Sequence, residues 1–319
     1  AYGKCGSPTE ACKMFREMQV RDIITWNSMI AAFAQNGHGK QALRLFYRMK
    51  AKNLDPDKVS FVNLLSGCTN ETQLGIGRTI YELIKEHGYQ CDVFVGTALI
   101  TMFGKCGSVE EAYKSFESIK HRTVVSWNAM IVAYVQCGCK KEAIGLFQRM
   151  KKELVKPDKV TFVIALDACT DPADLEVGRG VHSYARECKL DGDVRVRSAL
   201  VNMYGNCGCL QAAVCVFKTI QPPDLVSWTA MIGAYAHLGH GEEAFEHFVK
   251  MHQEGMKPNQ VTYINLLSAC ALLCAFVEGK IIHACLIEGG FDSFLEVANA
   301  LINMYSKCGS VYDALKVFT

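Results

Sequence analysis

Three tryptophans, Trp26, Trp127 and Trp228, stand 101 residues apart, each inside a variant of one hexapeptide: TWNSMI, SWNAMI and SWTAMI. A Cys-Gly pair keeps the same period at Cys5-Gly6, Cys106-Gly107, Cys207-Gly208 and Cys308-Gly309. Recurrence on this scale points to an array of supersecondary units. It overrides the prior of about 150 residues per domain, which would cut the 319 residues into two. The period subdivides into units of 35, 35 and 31 residues: 23–57, 58–92 and 93–123, then 124–158, 159–193 and 194–224, then 225–259 and 260–294. Partial units 1–22 and 295–319 flank them, and no residue is left for another domain.

Each unit reads as two helices. In 23–57 the first carries Trp26, Met29, Ile30 and Phe33 at a spacing of three to four, Asn36-Gly37-His38 is the turn, and the second carries Ala42, Leu43, Leu45, Phe46 and Met49. Asp55-Pro56-Asp57 is expected to end that second helix. In the shorter units, Ser108-Val109-Glu110-Glu111 reads as a capping box, and Ser7-Pro8-Thr9-Glu10 adds Pro at the first helical position. Neither helix of a pair can bury its apolar face alone, so the expected fold is all-α, a right-handed α-solenoid of stacked helical hairpins.

Composition narrows the chemistry. The 34 Lys+Arg nearly balance the 32 Asp+Glu, so net charge gives no electrostatic case for a nucleic acid, although charge can be segregated onto one face. The stretch nearest to a membrane span, Leu266 to Val277, has 12 residues and includes Ser268, too short to cross a bilayer. The chain opens in mid-pattern at Ala1-Tyr2-Gly3-Lys4 and reads as a piece of a longer protein, so the missing leader carries no information on compartment.

A hairpin of about 34 residues first suggests a tetratricopeptide array, but the alternating lengths argue against it. The segments VVSWNAMIVAYVQCG…EAIGLFQRM…KPD, KVTFVIALDAC…VGRGVHSYA and ANALINMYSKCGSVYDALKVF resemble the P, L and S motifs of the plant PLS subclass of pentatricopeptide repeat proteins, and the resemblance covers the whole chain. P motifs fall at 23–57, 124–158 and 225–259, L motifs at 58–92, 159–193 and 260–294, and S motifs at 93–123, 194–224 and the flanks. The resemblance implies binding of single-stranded RNA at about one base per repeat, read by the fifth and last residues of each repeat, with the second residue sandwiching the base.

Mapped onto this chain, the implied base-reading pairs are Asn27 with Asp57, Val62 with Asp92, Thr97 with Thr123, Asn128 with Asp158, Val163 with Asp193, Ser198 with Asp224, Thr229 with Asn259, and Ile264 with Phe294. Asn299 lacks a last residue and Asp22 a fifth. The sandwiching residues are Ile24, Val59, Phe94, Val125, Val160, Val226 and Val261, while Arg195 and Glu296 break the apolar series. Helix geometry gives an independent reason to notice the fifth residue. It shares a face with positions 2, 9 and 12, where Asn27 stands among Ile24, Ala31 and Ala34, and Thr229 among Val226, Gly233 and Ala236. A polar group buried there needs a partner, and a base edge is one candidate. The plain alternatives are that Asp57 and Asp158 are turn or N-cap residues, that Asn27 is a satisfied core amide, and that the tryptophans pack rather than stack on bases.

The family code then implies the site Y-N-N-Y-N-G-A-N-Y, read 5′ to 3′ from the repeat at 23. Lys4, Lys105 and Lys307, each at position 13 of an S unit, are candidates for phosphate contacts or lysines favoured by the helix dipole; Asn206 breaks that series.

Cys5, Cys106, Cys207 and Cys308 lie three repeats apart, beyond disulfide reach, and read as small packing residues. Cys137-Gly138-Cys139 and Cys207-Gly208-Cys209 lack the matched ligands of a zinc site. His240-Gly241-Glu242 and His252-Gln253-Glu254 supply half of a deaminase signature, without its C-x-x-C partner. No catalytic activity and no cofactor are expected of this chain. The resemblance implies an organellar factor, chloroplast or mitochondrion, selecting sites for C-to-U editing. It also implies L-repeat contacts with multiple organellar RNA editing factor proteins and no membrane partner. A protein-binding helical scaffold is the competing reading, and roles in transcript stability, splicing or translation stay open.

Overall fold

The computed structural model describes residues 8–318, and among these all regular structure is helical. The chain divides into two compact units, Ala1–Pro157 and Asp158–Thr319. The first holds α1 (Pro8–Glu17), α2 (Ile23–Gln35), α3 (Gly39–Lys50), α4 (Lys58–Leu65), α5 (Leu74–Glu86), α6 (Val93–Lys105), α7 (Val109–Ser118), α8 (Val124–Gln136) and α9 (Lys140–Lys152). The second holds α10 (Lys159–Asp167), α11 (Leu175–Glu187), α12 (Val194–Asn206), α13 (Leu210–Phe217), α14 (Leu225–His237), α15 (Gly241–Gln253), α16 (Gln260–Leu273), α17 (Phe276–Glu288), α18 (Leu295–Lys307) and α19 (Val311–Phe318).

Each even-numbered helix opens a repeat and pairs with the odd-numbered helix after it. Within the first unit α2 packs on α4, α4 on α6 and α6 on α8. Within the second, α10, α12, α14, α16 and α18 stack in the same order. These hairpin stacks make the fold an all-α solenoid in each unit.

The tryptophans are packing residues. Trp26, Trp127 and Trp228 are all buried, and each meets the phenylalanine that closes the preceding S hairpin edge-on. Centroid separations are 4.9 Å to Phe15, 4.9 Å to Phe116 and 5.0 Å to Phe217. Edge-to-face geometry suits the ring quadrupoles, so the most regular feature of the sequence marks a hairpin-to-hairpin joint.

Two local expectations are corrected, and the structure adds a third feature. First, α3 ends at Lys50, before Asp55-Pro56-Asp57. Asn53 there is left-handed (φ 55°) and donates its N–H to Lys50 O at 2.9 Å. Gly88, Leu154, Lys189, Gly255 and Gly290 take the same conformation at the same place in their repeats. Second, Ser108 does not cap α7; its hydroxyl donates to Glu111 Oε2 at 2.7 Å, so the carboxylate takes the proton and the N3 amide goes uncapped. Ser7 lies outside the described residues. Third, the L repeats differ in helix length. In the first two, Gln73 Oε1 accepts from Thr69 N–H and Asp174 Oδ2 accepts from Thr170 N–H, and these side chains stop α4 and α10 before short 3₁₀ turns. The third L repeat has Ala271-Leu272-Leu273 there, nothing competes for the backbone, and α16 runs on to a left-handed Cys274.

Candidate nucleic-acid interface

Every first helix starts at the first residue of its repeat, so the last residue of the repeat before is its N-cap. Asp22, Asp57, Asp92, Asp158, Asp193, Asp224 and Asn259 all accept a backbone N–H from the new helix. The turn-and-cap reading of Asp57 and Asp158 is therefore correct. It does not exhaust these side chains, because a cap occupies one oxygen.

The second residues face outward. Ile24, Val59, Phe94, Val125, Val160, Val226 and Val261 are all exposed, Ile24 by 70% and Val226 by 61%. Arg195 and Glu296 are exposed at the same position, and Glu296 Oε2 accepts from Gln260 Nε2 at 3.2 Å. The fifth residues lie deeper: Asn27, Asn128, Ser198 and Thr229 are buried, Val62, Thr97, Val163 and Ile264 are half-buried, and Asn299 is exposed. Of the last residues, Thr123 and Phe294 are exposed; Thr123 forms a capping box with Ser126, whereas Phe294 does not cap through its side chain.

Two clefts collect these groups. In the first unit a cleft of about 510 Å³ is bounded by the sandwich residues Phe94 and Val125 and holds Thr97, Thr123 and Lys105. In the second unit a cleft of about 690 Å³ holds Ser198 with Asp224 and Thr229 with Asn259, bordered by Arg195, Val226 and Val261. Asn202, Asn206, Asn265, Asp167 and His237 also line it. Of these, Asp167, Asn202, Asn265 and His237 went unnoticed in the sequence. Helix periodicity, one or more turns from the fifth residue, was the signal that could have found Asn202. Lys307 is exposed; Lys4 lies outside the described residues.

The buried fifth residues are not waiting for a partner, contrary to the expectation from burial. Asn27 Nδ2 donates to Asp57 Oδ1 at 3.0 Å, and Asn27 Oδ1 accepts from Ser60 Oγ at 2.6 Å. Ser198 Oγ donates to Val194 O at 2.8 Å, Thr97 Oγ1 donates to Val93 O at 2.6 Å, and Thr229 Oγ1 meets Thr262 Oγ1 at 2.9 Å. What matters is the hydrogen-bonding capacity left over.

At Asn27/Asp57, the amide keeps one N–H and Asp57 keeps Oδ2, since Ser60 N–H, Ser60 Oγ and Asn27 all contact Oδ1. Burial alone would raise the Asp57 pKa, but hydrogen bonds from Ser60 and Asn27 hold it below the ordinary carboxylate value, so this group is an acceptor at neutral pH. The pair offers a donor at the fifth residue and an acceptor at the last. At Ser198/Asp224, the Ser198 proton is spent on its own helix, and Ser227 N–H and Oγ occupy Asp224 Oδ1 at 2.9 and 2.6 Å. That pair offers two acceptors. At Thr229/Asn259, Thr262 N–H donates to Asn259 Oδ1 at 2.9 Å, which fixes the amide with Nδ2 free. That pair offers an acceptor at the fifth residue and a donor at the last.

The cysteines in the described residues are free thiols. Cys106 and Cys207 are buried, and burial raises both pKa values. Cys106 and Cys308 each lie against a methionine sulfur of their own helix, at 4.0 and 3.9 Å. Among the described residues no cluster of His, Cys, Asp or Glu could hold a metal, and no helix is long and apolar enough to cross a membrane.

Stacked helical hairpins with a regular series of apolar and polar side chains along their first helices define a helical-repeat protein with modular binding clefts. The chain belongs to the pentatricopeptide repeat family: the PPR repeat family pattern matches residues 21–70, 122–171 and 223–271, and the PPR repeat pattern matches 1–23, 97–124 and 296–319. It is 37% identical over 317 residues to a pentatricopeptide repeat-containing protein of Arabidopsis thaliana named as chloroplastic, covering 99% of this chain and 39% of the relative. It is 35% identical over 337 residues to one named as mitochondrial, covering 99% and 37%. The chain thus spans less than half the length of either. The crystal structure of PPR10 in complex with an 18-nt psaJ RNA element superposes with a TM-score of 0.78 at 21% identity, over 99% of this chain and 48% of PPR10.

Proposed function

We propose that this chain is one array of P, L and S repeats that binds single-stranded RNA sequence-specifically, one base per repeat. The observation that carries the reading is the cleft of the second unit, where two polar pairs of different hydrogen-bonding character lie side by side beside the exposed Val226. Guanine is the base whose Watson–Crick edge offers two adjacent donors, N1–H and N2–H, matching the two acceptors of Ser198/Asp224. Adenine offers an acceptor at N1 and a donor at N6–H, complementary to Asn259 Nδ2 and Thr229 Oγ1. Asn27/Asp57, with a donor and an acceptor in the opposite order, suits uracil through O4 and N3–H. Apolar second residues supply faces for the rings. The bound complex of PPR10, which shares the fold, supports RNA as the ligand class.

The target of this array is Y-N-N-Y-N-G-A-N-Y, with Lys105 and Lys307 toward the phosphates. The three-length cycle supports the PLS subclass and, with it, a role in choosing sites for C-to-U editing. Relatives named as chloroplastic and mitochondrial support an organellar location. A second reading, contact with a protein cofactor through L repeats, is favoured by one feature: Val277, Ile281, Ala284 and Ile287 form an exposed apolar strip on α17. The first L repeat carries Gly75, Thr79, Glu82 and Lys85 at those positions.

The test is fluorescence anisotropy with a 5′-labelled RNA carrying UNNUNGANU at about 150 mM salt, where nonspecific phosphate binding is weakened. Competitors are the same RNA with GA changed to AG, and the DNA version. The expected result is a preference for GA of about 1 kcal/mol or more per base. Equal binding of the swapped RNA would refute the assignment of these two pairs, and no RNA binding at all would favour the scaffold.

A further inference from the structure

The third residue of each repeat from residue 23 onward follows a rule that the base-reading positions do not explain. It is hydroxylic in every P and L repeat (Thr25, Ser60, Ser126, Thr161, Ser227, Thr262) and Val in every S repeat (Val95, Val196, Val297). The fifth residue of the repeat before follows in step. Where the next third residue is hydroxylic, the fifth is polar: Asn27, Thr97, Asn128, Ser198 and Thr229. Where it is Val, the fifth is Val62, Val163 or Ile264.

Helix capping does not require this pattern. Asp92 accepts from Phe94 and Val95 N–H, and Asp193 from Arg195 N–H, with Val at the third position. The hydroxyl does something more at the P-to-L steps. Asn259 Oδ1 is fixed as an acceptor by Thr262 N–H, so Thr262 Oγ1 donates its single proton there, at 2.9 Å. Either hydroxyl can donate across the 2.9 Å contact between Thr262 and Thr229; with the Thr262 proton on Asn259, the donor is Thr229. That leaves Thr229 only lone pairs for a ligand. At Asn27 the carboxylate sets the order of donors and acceptors. Asp57 cannot donate, so Asn27 turns Nδ2 toward it, and Ser60 Oγ gives its proton to Asn27 Oδ1 at 2.6 Å. Ser60 and Thr262 are both fully buried. At the S-to-P step beside them, Ser227 Oγ stays on Asp224 and Ser198 keeps its helix carbonyl.

We propose that Ser60 and Thr262 are positioning residues for base choice: the third-residue hydroxyl of an L repeat occupies one hydrogen-bonding group of the preceding fifth residue and so fixes which of its groups is left for the base. The proposal rests on the base-readout reading above. A P-to-L slot is thereby read by three side chains, and its specificity includes a residue that never touches the RNA.

The experiment compares wild type, Thr262→Val and Thr262→Ser by competition with RNAs carrying A or G opposite Thr229/Asn259, and G or A opposite Ser198/Asp224. Wild type is expected to prefer A over G at the first position by about fivefold or more, the lower range for one mismatch. Thr262→Val frees the Thr229 proton to turn outward and donate to guanine O6, while Asn259 Nδ2, still held by the backbone N–H of residue 262, continues to oppose guanine N1–H; the preference for A is therefore expected to fall severalfold without inverting. Thr262→Ser keeps it, and the preference for G at the neighbouring position is unchanged in all three, which a general loss of structure would not allow. An unaltered A preference in Thr262→Val overturns the positioning role. Absence of any preference in wild type overturns the readout reading itself. Should Thr262→Val lose its helical circular dichroism, Ser60→Ala tests the same role at the Asn27/Asp57 slot, where discrimination of U is expected to fall. Unfolding of both variants would make the hydroxyls structural and also overturn the role.

Discussion

Gly205 of α12 lies at a close approach to α14 in the second unit. A Cβ built on it would stand 2.6 Å from Ala234 Cβ and 3.1 Å from Ala234 Cα on α14. Carbon atoms pack at about 3.5–4.0 Å, so Gly205→Ala requires the helices to separate by close to an ångström. The obstructing atoms are backbone and Cβ, which cannot rotate aside. Overpacking of this kind costs about 1–3 kcal/mol, and here the upper part of that range applies. Against it stands the gain of replacing a mid-helix glycine by alanine, about 1 kcal/mol. The expected net effect is a loss of about 1–2 kcal/mol. Gly180 of α11, in the same unit, is exposed and would place its Cβ in open space, so Gly180→Ala isolates the propensity and should gain about 1 kcal/mol. The assay is urea denaturation followed by circular dichroism for wild type and both variants, with the midpoint read at constant slope. Opposite shifts of the two alanines are expected. A neutral or stabilising Gly205→Ala would refute the argument that contact between α12 and α14 sets the sign. The first unit repeats the arrangement, with Gly104 2.7 Å from Ala133 Cβ by the same construction.

Leu154 is left-handed (φ 58°) and 91% exposed, at a position where Gly88, Gly255 and Gly290 stand in other repeats. Leu154→Gly should raise stability by about 0.5–1 kcal/mol in the same urea assay, the strain relieved exceeding the entropy added to the unfolded chain. The second unit should be sensitive to acid. Burial lowers the pKa values of His182, His247 and His283, and His182 and His283 each hydrogen-bond a tyrosine hydroxyl at 2.8 Å. Because the folded pKa values are depressed, the unfolded chain takes up protons first. This stability is present above about pH 6.5 and is lost as pH falls through the folded values. Melts at pH 8 and pH 5.5 should show it, and His182→Phe, which copies the uncharged Tyr81–Phe103 pairing of the first unit, should flatten the dependence.

Much of this molecule is legible in its sequence because repetition and helix periodicity are local properties. The 35, 35, 31 division locates where each first helix begins, since a turn recurs at a fixed offset in each unit, a capping side chain in nearly all of them and a Trp joint in every P repeat. The turn reading of Asp57 and Asp158 and the packing reading of Trp26, Trp127 and Trp228 follow from the same regularity. Local pattern also misled where two side chains compete for one group. Ser108 and Glu111 satisfy each other rather than the helix end, and a leucine run lets α16 continue where Gln73 and Asp174 stop its counterparts.

The candidate site is different in kind. Its members can be counted off from the repeat. What each can still offer a ligand depends on where its protons go, and that is decided by the neighbouring repeat packed against it. Asn27 read either as an amide open to a base or as a satisfied core amide, and Asp57 and Ser60 supply two partners while leaving one N–H. Ser198 and Thr229 both end as acceptors by different routes, one through its own helix and one through Thr262. The sequence by itself determined the array, its register and the identity of the exposed and buried positions, because these follow from spacing alone. Only the tertiary structure decided the direction of the hydrogen bonds at Asn27 and Thr229, because that is set by contacts between residues some thirty positions apart.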